Sequence, residues 1–130
     1  MDVIQLKKVM TTNVEYTDEF GQWYLKLNES HQDNIASVVN LLEEKGTKLG
    51  FPYSSKINGS KHSQMRELRV QSQGCPLRIF YCFDPKRDVI LLIGGDKTGD
   101  KRFYFYLKMI PLADRLYDLY LTEIQREGLI

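Results

Sequence analysis

Apolar residues along this chain first recur at helical spacing, then alternate as in strands, then return to helical spacing. Residues 13–16 (NVEY) alternate polar and apolar and predict a short strand, which residues 1–12 either extend or precede as a loose segment. Thr17 and Asp18 offer an N-cap, and Phe20, Trp23, Tyr24 and Leu27 then fall at i, i+3, i+4 and i+7, the mark of an amphipathic helix with an aromatic inner face. Ser30 is placed to cap a second helix whose stripe is Ile35, Val38, Val39 and Leu42, closed by Lys45 and a C-cap glycine, Gly46. With only about two residues between them, the two helices are expected to form an antiparallel αα-hairpin.

A long loop follows over residues 49–64, rich in glycine and serine with Pro52 in its middle. Beyond it the period drops to two. Leu68 and Val70 oppose Glu67 and Arg69, LRIFYCF (77–83) follows Gly74-Cys75-Pro76, and VILLIGG (89–95) follows a charged turn. Three antiparallel strands in a meander are expected, the third well covered because residues 89–93 are continuously apolar. The turn DKTGD then leads to a short helix over 101–109, and Pro111 fits the first position of a last helix reaching about residue 127, with Leu112, Leu116, Leu119 and Ile124 inward. The fold class is α+β, and no repeat or linker divides the 130 residues, so a single domain over 1–130 is expected.

Composition alters this picture mainly through charge. The formal net charge is only +1, but residues 1–55 hold five Lys/Arg against eight Asp/Glu, residues 56–109 eleven against five, and residues 110–130 two against four. A basic middle thus lies between two acidic helical ends, a distribution that the net value hides. No apolar run reaches the roughly 20 residues a membrane span requires, and the first residues carry no secretory apolar core, so a cytoplasmic protein without membrane attachment is expected. Cys75 and Cys82, seven apart on one strand, make a poor disulfide, and with His31 and His62 they give no zinc spacing; free structural thiols and no metal or cofactor are expected.

Candidate chemistry gathers in the basic middle: Lys61, His62, Arg66, Arg69, Arg78, Lys97, Lys101 and Arg102, with Tyr104 and Tyr106 just behind. If Leu68 and Val70 pack on helices, Arg69 projects from the other face, and Arg78, out of phase with Leu77 and Ile79, reaches the same side. Cations with tyrosines on an open sheet suit phosphates and stacked bases. By pattern alone, the commoner meaning of such arginines is a solvated sheet face. GGDKTG lacks the spacing and the following helix of a nucleotide-binding P-loop. A lone loop histidine such as His62 is most often surface, and Asp96 and Asp100 serve a turn and a helix start better than a metal.

The ordered set KHSxMRELRV, LRIFYxFDP, ILLxGGDKTG and RFYxxxxxIPxADxLYD, extended upstream by VEYTDEFxxW and LLEEKGxxLGxPY, resembles the phage-derived RelE/HigB-like toxins of type II toxin-antitoxin modules. The resemblance covers nearly everything after Thr12. It implies a RelE-like fold, with a small antiparallel sheet, a helical hairpin on one face and a catalytic surface on the exposed other face. It further implies an endoribonuclease (an mRNA interferase) that cleaves mRNA in the ribosomal A site through attack of the RNA 2′-hydroxyl on its neighbouring phosphate, a reaction that needs no metal.

Carried across on matching positions, the resemblance makes Arg78 the strand arginine that stabilises transition-state charge, Lys97 a second cation and Tyr104 the C-terminal tyrosine that positions RNA. Arg69 falls where relatives place a lysine base, yet arginine stays protonated and is a poor base, so His62 is the substitute. Lys61, Arg66, Lys101 and Arg102 are then the expected RNA contacts. The implied partners are a helix-turn-helix antitoxin from an adjacent gene, bound by the hairpin and last helix in a toxin-antitoxin hetero-oligomer, together with the ribosome and its mRNA. Two other functions share this fold: a ParE-like inhibitor of a target such as gyrase, and an inactive phage remnant that binds only its antitoxin.

Overall fold

The computed structural model describes residues 11–100 and 102–130. In chain order it contains β1 (Val14–Tyr16), α1 (Asp18–Leu25), α2 (Glu29–Lys45), a 3-10 turn (Gly46–Lys48), β2 (Ser54–Lys56), β3 (Arg66–Ser72), β4 (Cys75–Phe83), β5 (Val89–Asp96) and α3 (Tyr104–Arg126). The expected continuation of the first strand into residues 1–10 lies outside the described residues.

Strand alternation builds the layers. Leu68, Val70, Leu77, Ile79, Tyr81, Val89 and Leu91 face α1 and α2, where Phe20, Ile35, Val38 and Leu42 meet them. Phe80, Cys82, Ile90 and Leu92 face the other way, onto Met109, Ala113, Leu116 and Tyr117 of α3. One sheet therefore carries a core on each face, and β4 and β5 read as near-continuous apolar runs for that reason. The sheet order is β1-β5-β4-β3-β2. The β3-β4-β5 meander and the β2-β3 pair are antiparallel, and β1 lies parallel to β5 at the edge. No helix among the described residues is long and apolar enough to cross a membrane.

Between Phe80 and Tyr81 the β4-β5 register shifts: Phe80 pairs with Ile93 and Tyr81 with Leu91, leaving Leu92 as the extra residue of a bulge. Its carbonyl accepts the Thr17 hydroxyl at 2.7 Å, while the Thr17 side chain also caps α1 by accepting from the Phe20 N–H at 3.0 Å. The start of α1 is thus pinned to the middle of the sheet. Just beyond, Gly94 faces α1, and any Cβ there would fall inside the Trp23 ring. Gly94→Ala is expected to cost about 3 kcal/mol through this overlap and to lower the melting temperature by roughly 10 °C, which a thermal denaturation curve would read.

Several expectations change. The two C-terminal helices are one: α3 continues through Pro111. Proline removes the N–H that would bond the Leu107 carbonyl, but both residues lie on the exposed side, where water takes that carbonyl, and the buried stripe on the opposite side holds the helix together. That stripe is Met109, Ala113, Leu116, Tyr117 and Ile124, and Leu119 is exposed. α2 is capped not by Ser30 but by Asn28, whose side chain accepts from the His31 N–H at 2.8 Å. The loop after Gly46 holds strand β2. Most consequential, α3 covers the sheet face that was expected to stand open, so a site on that face can lie only at the margin of the helix.

Candidate functional site at the margin of α3

The site begins with register. Arg69 on β3 lies directly opposite Arg78 on β4, which in turn lies opposite Gly95 on β5, so all three point to the α3 side. At Gly95 a Cβ would come within 2.7 Å of the Phe105 ring. The bare backbone there lets the first turn of α3 close down on the sheet, and this sets Tyr106 beside Arg78. Two residues before Arg69, Glu67 shares its face, and Ser55 of β2 pairs across from Glu67.

Glu67 is the hub. Its Oε1 accepts the Tyr106 hydroxyl at 2.7 Å; its Oε2 accepts the Ser55 hydroxyl at 2.8 Å and Arg69 Nη1 at 3.3 Å. Arg78 Nε stands 3.7 Å from Oε1, close enough for charge attraction and too far for a hydrogen bond. Glu67 is only 4% exposed and Arg78 8%. Arg78 gives one N–H to the Leu77 carbonyl at 3.0 Å, and its Nε is buried without a partner. A buried guanidinium with an unused donor is costly for stability and is common where a protein awaits an anion.

Lys97, at the end of β5, places its Nζ 5.6 Å from the Tyr106 ring centroid and 4.0 Å from Asp100. The Arg69 guanidinium lies 5.3 Å from the centroid of the exposed Phe51 ring. Burial first, then the hydrogen bond to Glu67, pushes the Tyr106 hydroxyl up to about 12, with Arg78 pulling the other way. Tyr106 therefore remains a hydrogen-bond donor at neutral pH. Asp96 and Asp100 serve their local backbone: Asp96 accepts from the Thr98 N–H at 2.8 Å and Asp100 from the Phe105 N–H at 3.4 Å. The Cys82 thiol is pushed up to about 12 by burial, which leaves it inert.

Of the residues singled out in the sequence, Arg69, Arg78 and Lys97 come together. His62 does not join them: its Nε2 lies 2.8 Å from Asp118 and its ring meets the edge of Tyr117 at 4.7 Å, about 18 Å further along α3 than Tyr106. Lys61 pairs with the same Asp118, whose hydrogen bond raises the ammonium pKa, while Lys61 in turn holds the Asp118 carboxyl below its usual range. With Ser60 on Asp114, these contacts pin the loop before β3 to α3. Arg66 lies on the opposite face, donating to Ser54 at 3.0 Å. Tyr104 is 63% exposed at the helix start, Arg102 is exposed nearby, and Lys101 lies outside the described residues. Glu67 and Tyr106 are the site members that the sequence reading left out of its catalytic set. The period-two pattern already put Glu67 on the face of Arg69.

The chain is similar to known proteins in sequence and in fold. A family model described as "Phage derived protein Gp49-like" matches residues 22–118. A Mycobacterium tuberculosis protein named HigB3 and described as a candidate toxin is 41% identical over 95 residues, covering 72% of this chain and 80% of that one. HigB2 of the same organism, described likewise, is 32% identical over 109 residues, which cover 83% of this chain and 54% of the longer relative. In the intact Escherichia coli RelBE toxin-antitoxin complex, one chain superposes with a TM-score of 0.51 at 10% identity, covering 65% of this chain and 94% of that one. That likeness is one of fold.

Proposed function

The chain belongs to the phage-derived Gp49-like family, and from that premise we propose that it is the toxin of a type II toxin-antitoxin module, an endoribonuclease that cuts mRNA in the ribosomal A site. The observation that carries this reading is the buried pair Arg78 and Glu67, 3.7 Å apart with Arg78 Nε unpartnered, ringed by Arg69, Lys97 and Tyr106 at one margin of α3.

The chemistry follows from which groups of the cluster can accept a proton and which can donate one. Glu67 is the carboxylate among Arg69, Arg78, Lys97 and Tyr106, so it is the group placed to take a proton from the RNA 2′-hydroxyl. The 2′-oxygen forms a bond to the adjacent phosphorus and the bond from phosphorus to the 5′-oxygen breaks. The unused Arg78 donor meets the negative charge on the phosphorane. The departing 5′-oxygen takes its proton from the Lys97 ammonium, leaving a 2′,3′-cyclic phosphate and a 5′-hydroxyl. Tyr106 and Ser55 position Glu67, each with one hydrogen bond. This assigns the base to Glu67 in place of His62, and the positioning tyrosine to Tyr106 in place of Tyr104.

Exposed Phe51, beside the Arg69 guanidinium, and exposed Phe103, which lines a cleft together with Glu67 and Tyr106, offer faces on which bases stack. The partner is an antitoxin, as in the RelBE complex; a helix-turn-helix protein that binds the hairpin and α3 keeps this toxin off the ribosome. Induced expression followed by mapping of mRNA 5′ ends tests the function. New ends inside translated frames are expected, and they should vanish from a message whose start site is removed. Growth arrest without new ends would overturn the nuclease reading in favour of a target that is blocked rather than cut.

A further inference from the structure

β1 is an edge of the sheet, and among the described residues no strand lies on its outer side. The Val89 N–H bonds the Asn13 carbonyl at 2.9 Å and the Thr17 N–H bonds the Leu91 carbonyl at 3.0 Å, so residues 13, 15 and 17 turn their backbone groups inward to β5. The N–H and C=O groups of Val14 and Tyr16 therefore point outward, where a further strand would bond them.

Each helical layer leaves a cleft beside this edge, and Val14 and Tyr16 line both. On the hairpin side, where Val14 and Tyr16 project, a cleft of about 440 Å³ is walled by Phe20, Tyr24, Leu25, Ile35 and Val39. On the α3 side, where Glu15 projects toward Tyr120, an open cleft of about 700 Å³ is ringed by Glu15, Asp18, Glu19, Glu123 and Glu127. Its one cation, Lys86, is already held by Glu15 and Asp88. An edge merely guarded against aggregation carries charge and offers little apolar surface. Here Tyr16 is 65% exposed and Leu25 76%, both lining the hairpin-side cleft, and apolar surface rimmed by polar residues marks interaction sites.

We propose that β1 takes an extended segment of a partner polypeptide as a sixth strand of the sheet, and that this segment alternates apolar residues with Lys or Arg. The alternation follows from the pleat. Side chains beside Val14 and Tyr16 enter the apolar cleft, and those beside Glu15 meet the carboxylates, with Leu119 and Leu129 there to receive the aliphatic stems of Lys or Arg. Main-chain hydrogen bonds supply affinity whatever the sequence, and two unlike clefts supply selectivity. The surface is independent of the nuclease reading, because β5 separates β1 from the strand that carries Arg78.

The test titrates the full chain with three end-blocked peptides: one alternating Val and Lys, one of the same residues sorted into two blocks, and one alternating Val and Glu. Nuclear magnetic resonance reads affinity and amide exchange. The alternating Val/Lys peptide should bind best and slow exchange at the Val14 and Tyr16 amides. Tyr16→Pro removes one outward donor and should weaken it by about tenfold, the effect of a single lost hydrogen bond. Glu123→Lys with Glu127→Lys, both at exposed positions, should turn the preference toward the Val/Glu peptide, and this reversal carries the test alone should Tyr16→Pro unfold the chain. Equal binding of the block peptide, or unchanged exchange at Val14 and Tyr16, would overturn strand addition in favour of plain charge attraction. Binding that appears only after residues 1–10 are removed would assign the edge to the chain's own N-terminal segment. A dimer in sedimentation that Tyr16→Pro dissociates would assign it to a second copy, and either result would overturn the proposal.

Discussion

Arg78→Ala should relieve growth arrest on induction and lower single-turnover cleavage by roughly 10²–10³-fold, the loss expected when one preorganised donor to a developing oxyanion is removed. The size of the effect comes from where the guanidinium sits. It is 8% exposed, tethered by a single hydrogen bond to the Leu77 carbonyl, and its Nε has no partner. A donor held so in a water-poor recess need not shed a hydration shell as charge builds on phosphorus. Lys97→Gln should cost less, because the Lys97 ammonium is already half-engaged by Asp100 and water can protonate the leaving oxygen in its place. Truncating Arg78 also leaves Glu67 with one fewer positive neighbour, so thermal denaturation and antitoxin binding must accompany the rate. Retained binding with lost cleavage supports the assignment; full cleavage by a folded Arg78→Ala protein would remove Arg78 from the mechanism.

The sequence carried Arg78 and Arg69 to one face because alternation in LRIFYCF and RELRV is a local property of strands, independent of what packs above them. The same rule put Glu67 there, but a single carboxylate between arginines reads as a solvated counter-charge until its burial is known. Tyr106 illustrates the opposite difficulty. Tyr104 and Tyr106 lie two residues apart on a helix, about 200° around its axis, so which one faces Glu67 depends on the helix phase, and the phase is set by Gly95 admitting Phe105. Pro111 suggested a helix boundary because local geometry favours one; the apolar stripe from Met109 to Ile124 overrode it. β2, only three residues long, has no periodicity of its own and exists because the edge of β3 offers unpaired backbone groups. His62 was the natural substitute base in a list of residue types, and its bond to Asp118 is a tertiary fact that no spacing encodes.

Glu67→Gln tests the step on which the mechanism turns. The amide keeps the shape of the carboxylate and can still accept from Tyr106, but it cannot take a proton, so cleavage is expected to fall by about 10²–10⁴-fold, the usual contribution of a positioned general base. Arg69→Gln is the control. It removes one charge partner of the same carboxylate from a half-buried position and leaves the base in place, so its rate should fall far less. A second readout separates a lost base from a disturbed fold. Besides burial, the Tyr106 hydroxyl is pushed up to about 12 by its hydrogen bond to Glu67 and by the charge of Glu67, and removing that charge should bring its titration down toward the ordinary tyrosine range near 10. Because the folded-state value exceeds the unfolded one, Tyr106 withdraws stability as pH rises from about 10 to about 12, and Glu67→Gln should make that alkaline loss shallower. Ultraviolet difference titration and denaturation as a function of pH would read both changes. A Glu67→Gln protein that shows the altered tyrosine titration, remains folded and cleaves at the wild-type rate would place the base elsewhere.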